Sequence, residues 1–186
     1  LLHEVRGRLG DGVTAFELIG ARGPEFITRF YPGWSDPMPS SPPWRVLMEV
    51  TGPPEGGLPG RTEAVFAALF EQGLALDGVI AASEAQRNAM WWLRETIPEA
   101  NRKVGAVSSH DTSVPLSMIP RFIEEAGQAV EAIRPGLVIN CFGHVGDGNL
   151  HYNVFPVPGT ARADHDDVRP AVKRAVHEVA IGLGGS

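Results

Sequence analysis

One segment of the sequence, residues 142–153, concentrates side chains that could do chemistry. It reads Phe-Gly-His-Val-Gly-Asp-Gly-Asn-Leu-His-Tyr-Asn and contains His144 and His151. Asp-Gly is a strong signal for a two-residue hairpin turn. If Asp147 and Gly148 form that turn, His144 faces His151 directly across two antiparallel strands. Imidazoles on directly opposed strand residues are close enough to share a metal ion, so the segment predicts a histidine-based metal site.

Strand alternation assigns further polar side chains to the histidine face. Residues two apart in a strand point to the same side, so Asn149 and Asn153 should lie beside His151, whereas Leu150 and Tyr152 should point into the core. Two imidazoles leave a coordination sphere incomplete, so we expect a carboxylate ligand from another segment. The alternative is that both histidines are ordinary sheet residues and that the glycines only form the turn.

The elements that must position this segment alternate between strands and helices. Period-two patterns and short apolar runs predict strands over residues 13–19, 44–51, 78–83, 106–111, 137–142 and 150–155. Helical periodicity predicts helices that begin near residues 62, 84, 117 and 167. This order favours an α+β fold, a largely antiparallel sheet with helices packed on one face and ferredoxin-like elements. Residues 20–43 contain six prolines and are predicted to form an irregular loop, either a lid or a tolerated insertion.

Composition excludes several functional classes. The 186 residues are 43% hydrophobic, which fits one globular unit or at most two small ones, and no apolar run is long enough for a membrane span. Acidic residues outnumber basic residues by 22 to 16, without a basic stripe, so we expect no nucleic-acid partner. Cys141 is the only cysteine and lies in an apolar run. We therefore expect Cys141 to be a reduced, buried thiol and the protein to be cytoplasmic. Peripheral contact of the protein with a membrane stays open.

The histidine segment is one of several that resemble a known family. Residues 143–153 resemble the signature of the C-terminal substrate domain of FAD-linked oxidases of the vanillyl-alcohol oxidase superfamily. The resemblance is to the branch that contains D-lactate, glycolate and D-2-hydroxyglutarate dehydrogenases. Residues 92–95 (Trp-Leu-Arg-Glu), 97–100 (Ile-Pro-Glu-Ala) and 110–115 (His-Asp-Thr-Ser-Val-Pro) are also similar to that domain. With the order of elements, the resemblance covers essentially the whole chain.

The resemblance implies roles for individual residues. It implies that His144 and His151 bind a divalent metal, with zinc as the expected ion. It also implies that Arg94 holds the carboxylate of the substrate and that Asn153 contacts the substrate, which Asn149 would help to orient. A guanidinium fork at the rim of a buried helical stripe suits a carboxylate.

Three positions bear on the role of Arg94 and on the identity of the substrate. Without the resemblance, Arg94 would be read as a helix-surface residue paired with Glu95 or Glu99. Ser109 stands where the D-2-hydroxyglutarate dehydrogenases carry a lysine, and Pro98 stands where they carry a threonine. The identity of the hydroxy acid is therefore not carried over from the family.

The resemblance also implies a reaction. An FAD-dependent D-2-hydroxy acid dehydrogenase oxidises a small 2-hydroxy acid to the 2-oxo acid, with hydride transfer to the flavin. Residues 1–186 are expected to be the substrate and metal domain, truncated at both ends, with FAD bound mainly by an absent domain. The carboxylate ligand and the catalytic base are expected beyond Ser186, so the fragment alone should be inactive. The electron acceptor and homo-oligomer formation stay open.

Two other functions compete with the dehydrogenase. One is a metal-dependent hydrolase in which His144 and His151 hold zinc, although no HExxH-type cluster supplies a third ligand and a base. The other is a non-catalytic α+β binding module with structural histidines. His110 is a weaker site candidate, balanced between a functional and a structural role.

Overall fold

A five-stranded antiparallel sheet forms the centre of the computed structural model, which describes residues 1–38, 40–53 and 55–186. The strands are β1 (Val13–Gly20), β2 (Trp44–Val50), β3 (Ser108–Ser113), β4 (Val138–His144) and β5 (Asn149–Phe155). Their spatial order is β2-β1-β4-β5-β3, and each neighbouring pair is antiparallel. The predicted α+β class with an antiparallel sheet is confirmed.

Six α-helices lie within the described residues. They are α1 (Leu2–Leu9), α2 (Arg22–Phe30), α3 (Leu58–Glu71), α4 (Glu84–Val104), α5 (Ile119–Ile133) and α6 (Arg169–Gly182). Helices α5 and α6 cover one face of the sheet, where Phe122 and Val176 share a core with Leu150. Helices α2 and α4 cover the opposite face, where Ile27 and Ile97 pack together.

The prediction that helices pack on one face only is therefore wrong. Successive residues of the central strands are apolar on both sides of the sheet, as in Leu18 and Ile19 of β1 or Cys141 and Phe142 of β4. Because apolar side chains on both faces must be removed from water, each face needs its own cover of helices.

The carboxyl-terminal half contains a split βαβ unit. Strands β3 and β4 are both antiparallel to β5, which lies between them, so β3 and β4 run parallel and α5 forms their crossover. This is the arrangement typical of ferredoxin-like folds. The short connection between β4 and β5 brings the predicted metal-binding segment to one edge of this unit.

Two segments differ from their predictions. Residues 20–43 are not irregular throughout, because α2 forms at Arg22–Phe30 and buries Ile27 completely against the sheet. The loop that follows is anchored by Asp36, which accepts a hydrogen bond from Arg45 at 2.7 Å; Pro39 of this loop lies outside the described residues. Residues 78–83 form no strand, which leaves β2 at the edge of the described sheet.

Helix α4 contains a proline in its interior. It begins after Ser83, whose hydroxyl caps the helix by accepting from the backbone N–H of Gln86 at 3.3 Å. Pro98 has no N–H, so it cannot donate to the carbonyl of Arg94 four residues earlier. The helix continues because Ile97 and its neighbours on the same stripe are buried against β1 and β4.

Cys141 is a free, buried thiol, as its sequence context indicates. Burial raises its pKa to about 12, so the group stays protonated and unreactive near neutrality. In the part of the chain that the structure describes, no helix combines the length and the apolar character that a membrane span requires.

Candidate functional site

The connection between β4 and β5 is longer than a two-residue turn. Val145–Asp147 form one 3-10 turn and Gly148 follows with φ at 81°, whereas the predicted type I′ turn would need positive φ at Asp147 as well. The ladder therefore ends with Phe142 opposite His151. The predicted direct pairing of His144 with His151 is wrong, because His144 lies two residues further along β4.

A glycine is required at position 148 because of its surroundings. A Cβ there would lie 2.3 Å from the carbonyl oxygen of Val114, and the Val114 N–H donates to the Gly148 carbonyl at 3.1 Å. The loop is thus fastened to the residue that follows β3. This close approach fixes the position of the chain between the two histidines.

The two histidines nevertheless lie on the same face of the sheet. The centroids of the His144 and His151 rings are 6.4 Å apart, and their planes are inclined at 69°. Leu150 and Tyr152 point to the opposite face and are completely buried. The predicted division of this hairpin into a polar face and a core face is confirmed.

Each imidazole contacts a carboxylate through its Nδ1 atom. Nδ1 of His151 lies 2.5 Å from Oδ1 of Asp111, and Nδ1 of His144 contacts Oε1 of Glu17, its ladder partner in β1. An ionised carboxylate only accepts, so each neutral imidazole carries its hydrogen on Nδ1 and a lone pair on Nε2. This is the tautomer and outer-shell arrangement typical of metal-binding histidines.

Arg94 is buried in the same cluster. Its Nε donates to Oε2 of Glu17 at 2.6 Å, and the two residues are only 7% and 2% exposed. The guanidinium also lies 4.9 Å from the centroid of the Phe142 ring. The alternative reading of Arg94 as a helix-surface partner of Glu95 or Glu99 is wrong, because α4 turns this side chain towards the sheet.

The two predicted asparagines lie on the histidine face at different depths. Asn153 is 9% exposed and lies between Asn140 of β4 and Ser109 of β3 in the ladder. Asn149 is half-buried, and its Oδ1 is buried without a hydrogen-bond partner among the described residues. The structure therefore brings amide groups next to the imidazoles on both sides of His151.

His110 is not part of this cluster. It points to the opposite face of β3, is 3% exposed, and its ring centroid lies 5.4 Å from that of His177 on α6. Burial is the main reason why its pKa falls from 6.5 to about 4; the nearby His177 and Lys173 lower it further, and Asp111 opposes the shift. The structural role is the one that this position supports.

The cluster contains two nitrogen atoms of the type that transition-metal sites use. Across residues 1–38, 40–53 and 55–186, no three His, Cys, Asp or Glu side chains come together in a group that could hold a metal ion. The imidazoles of His144 and His151 each present an Nε2 lone pair, and imidazole nitrogen is a preferred ligand of zinc and other transition metals. The residues present thus fit two ligands of such a site.

Sequence reasoning missed Glu17, the residue that joins the cluster. The available signal is a single acidic residue in the middle of a largely apolar strand, on the same side as Ala15 and Ile19. An ionisable residue is rarely buried unless it is paired, so such a position indicates a partner. The sequence cannot indicate that the partners are Arg94 and His144, which are 77 and 127 residues away.

Comparisons with known proteins identify a family and several relatives that are similar to this chain. The model of the family described as "FAD linked oxidases, C-terminal domain" matches residues 2–186. The mitochondrial D-2-hydroxyglutarate dehydrogenase of Arabidopsis thaliana is 35% identical over 156 residues, which are 83% of this chain and 27% of that protein. The protein of the same name from Bos taurus is 31% identical over 182 residues, or 97% of this chain and 32% of that protein. The chain therefore spans about a third or less of these relatives.

Proposed function

Because this chain belongs to the family of FAD-linked oxidase C-terminal domains, we propose that it is the substrate-binding domain of an FAD-dependent dehydrogenase of a D-2-hydroxy acid. The observation that carries this proposal is the cluster on one face of the sheet. There, two imidazoles whose Nδ1 atoms contact carboxylates lie on the same face as the buried guanidinium of Arg94. Names of similar proteins, such as D-2-hydroxyglutarate dehydrogenase, support the same substrate class.

Arg94 is proposed to bind the carboxylate of the substrate. A guanidinium has five N–H donors in a planar fork, and Glu17 occupies the Nε donor. The remaining donors suit a second carboxylate, and low exposure strengthens such an interaction because little water competes for it. Asn149 and Asn153 are proposed to orient the rest of the substrate through their amide groups.

His144 and His151 are proposed to hold a divalent metal, with zinc as the expected ion. When bound, it would act as a Lewis acid that stabilises negative charge on the 2-oxygen of the substrate. The third ligand and the base that removes the hydroxyl proton are proposed to come from residues beyond Ser186.

No residue of this chain is proposed to bind FAD. A dinucleotide fingerprint needs glycines between a strand and the helix that follows it, whereas Gly143, Gly146 and Gly148 precede strand β5. FAD is therefore proposed to be bound mainly by another part of the full-length protein. The cytoplasmic location, the possibility of peripheral membrane contact and the formation of a homo-oligomer also stay predictions, and several relatives are named as mitochondrial.

The test is flavin reduction in the full-length protein that contains this chain. The protein would be mixed anaerobically with D-2-hydroxyglutarate, D-lactate and their L-enantiomers, and flavin absorbance would be followed by stopped flow. We expect reduction by at least one D-2-hydroxy acid. We expect His144→Ala and His151→Ala each to slow it by orders of magnitude, because each removes a proposed metal ligand.

The matched control is His3→Ala, which removes an exposed histidine outside the cluster and should leave the rate unchanged. Metal analysis of the same three variants should show metal loss for the two cluster variants alone. Unchanged flavin-reduction rates in either cluster variant would contradict the assignment. Stoichiometric zinc combined with hydrolytic turnover and no flavin reduction would instead favour a metal-dependent hydrolase.

A further inference from the structure

Glu17 is a buried carboxylate shared between two functional side chains. It lies in the middle of β1 with 2% exposure, and its two oxygens have different partners. Oε2 accepts from Nε of Arg94 on α4 at 2.6 Å, and Oε1 contacts Nδ1 of His144 at the end of β4. Three elements that are distant in sequence therefore meet at one side chain.

Stability alone does not account for this arrangement. Removing a carboxylate and a guanidinium from water is costly, and well-packed apolar residues often stabilise a protein as well as a buried ion pair does. The other partner, His144, has a side chain that is 56% exposed, so it needs no buried acceptor to satisfy its polar atoms. What the carboxylate adds is a fixed orientation of both partners.

From this arrangement we infer that Glu17 is the positioning residue of the cluster, which couples the substrate-binding guanidinium to the first metal-binding imidazole. The inference rests on the proposed function for the roles of Arg94 and His144. The carboxylate accepts at both oxygens, so it selects the Nδ1–H tautomer of His144 and keeps Nε2 available as a ligand. The same group holds the plane of the Arg94 guanidinium over Phe142.

The second imidazole provides an internal comparison. His151 contacts Asp111, whose side chain is 80% exposed, and Asp111 has no further partner among the described residues. Asp111 can therefore orient one imidazole only. Glu17 is the residue whose replacement should affect an arginine and a histidine together.

Glu17→Gln is the informative substitution because it keeps the shape and removes one acceptor. A glutamine offers one carbonyl oxygen and one amide group, so it cannot accept from both Arg94 and His144. If the carbonyl oxygen turns to Arg94, the amide group faces His144 and favours the tautomer with its hydrogen on Nε2. The lone pair then leaves the atom that is proposed to bind metal.

The test is a long-range nitrogen–proton NMR spectrum of the 186-residue chain in mildly alkaline buffer, where free imidazoles are neutral. We expect His144 and His151 to show the Nδ1–H tautomer in the unsubstituted chain. In Glu17→Gln, His144 should change its tautomer while His151 does not. Asp111→Asn is the matched control that should affect His151 alone. Circular dichroism would establish that each variant is folded.

A second measurement follows metal binding in the full-length protein. Calorimetric titration with zinc should show about 10- to 100-fold weaker binding for Glu17→Gln. His144 in the Nε2–H tautomer in the unsubstituted chain, or an unchanged His144 tautomer in folded Glu17→Gln, would overturn the inference. The first of these outcomes needs no variant. Absence of flavin reduction by hydroxy acids alongside the expected tautomers would count against the proposed function only.

Discussion

The two faces of the β4–β5 hairpin are built on different principles. On the face covered by α5 and α6, Leu150, Tyr152 and Val154 are completely buried in an apolar core. On the other face, His144 and His151 are held by directional contacts with carboxylates. The same alternating residues thus contribute to a non-directional core on one side and to a set of specific pairs on the other.

The difference shows which interactions can be replaced. Apolar packing depends mainly on volume, so several residues can substitute for one another at small cost. A buried pair such as Glu17 with Arg94 depends on the presence of both partners, because the remaining group is left charged and buried when one is removed. Substitutions should therefore destabilise the protein more on the polar face than on the apolar face.

The largest effect is expected where the polar face loses its buried cation. Arg94→Ala leaves Glu17 without its guanidinium partner and should lower the free energy of unfolding by about 4 kcal/mol. Denaturant unfolding monitored by circular dichroism would measure this loss. Arg121→Ala, which removes an exposed partner of Glu125, is the control and should cost less than about 0.5 kcal/mol. Equal losses in both variants would contradict the comparison.

A somewhat smaller effect is expected on the apolar face. Leu150→Ala creates a cavity in the core beneath α5 and α6 and should lower the free energy of unfolding by about 3 kcal/mol. The control Leu76→Ala truncates a side chain that is 93% exposed and should change little. If the two faces are independent, the imidazole tautomers of folded Leu150→Ala should match those of the unsubstituted chain. A change of tautomer would show that the faces are coupled.

The smallest of the three effects concerns His110, a polar residue on the apolar face. Burial lowers its pKa from 6.5 to about 4, with smaller contributions in the same direction from His177 and Lys173 and an opposing one from Asp111. Between pH 6.5 and about pH 4 the unfolded chain binds more protons than the folded chain. The contribution of His110 to the free energy of unfolding is therefore fully present above pH 6.5 and is lost as the pH falls towards 4. At pH 5 the loss should be about 2 kcal/mol.

His110→Leu removes this contribution and checks its origin. The free energy of unfolding would be measured at pH 8 and pH 5 for the unsubstituted chain and the variant. The unsubstituted chain should lose about 2 kcal/mol more than His110→Leu over that interval. His3→Leu, which removes an exposed histidine, should behave like the unsubstituted chain. Identical pH dependence in all three proteins would contradict the assignment to His110.

The parts of the fold that follow local rules could be predicted from the sequence. The five strands of the sheet, the alternation of Leu150 and Tyr152 with His151, and the apolar stripe of α5 depend on periodicity alone. The strand predicted at residues 78–83 fails because short apolar runs do not specify a pairing partner. Helix α2 is missing from the prediction because residues 20–43 are rich in proline; the one proline within the helix, Pro24, lies in its first turn, where proline is tolerated.

Several residues of the candidate site could be predicted from the sequence, but its geometry could not. His144 and His151 were predicted from motif and spacing and Arg94 from the family resemblance, and the structure brings all three to one face. The offset between the histidines depends on whether Asp147 adopts a positive φ, a choice that tertiary contacts of the loop decide. Glu17 was missed because its partners are determined by the order of strands in the sheet, which no local pattern encodes.

Because of Pro98, the backbone that carries Arg94 differs from the backbone that carries the other residues of the cluster. Because the carbonyl of Arg94 receives no bond from the residue four positions later, the turn of α4 that carries this side chain has an interrupted backbone ladder. Helices bend most readily at such interruptions. The backbone of α4 is therefore less constrained at the turn that carries Arg94 than in the turns on either side, and the contact with Glu17 in the sheet is what fixes the guanidinium there.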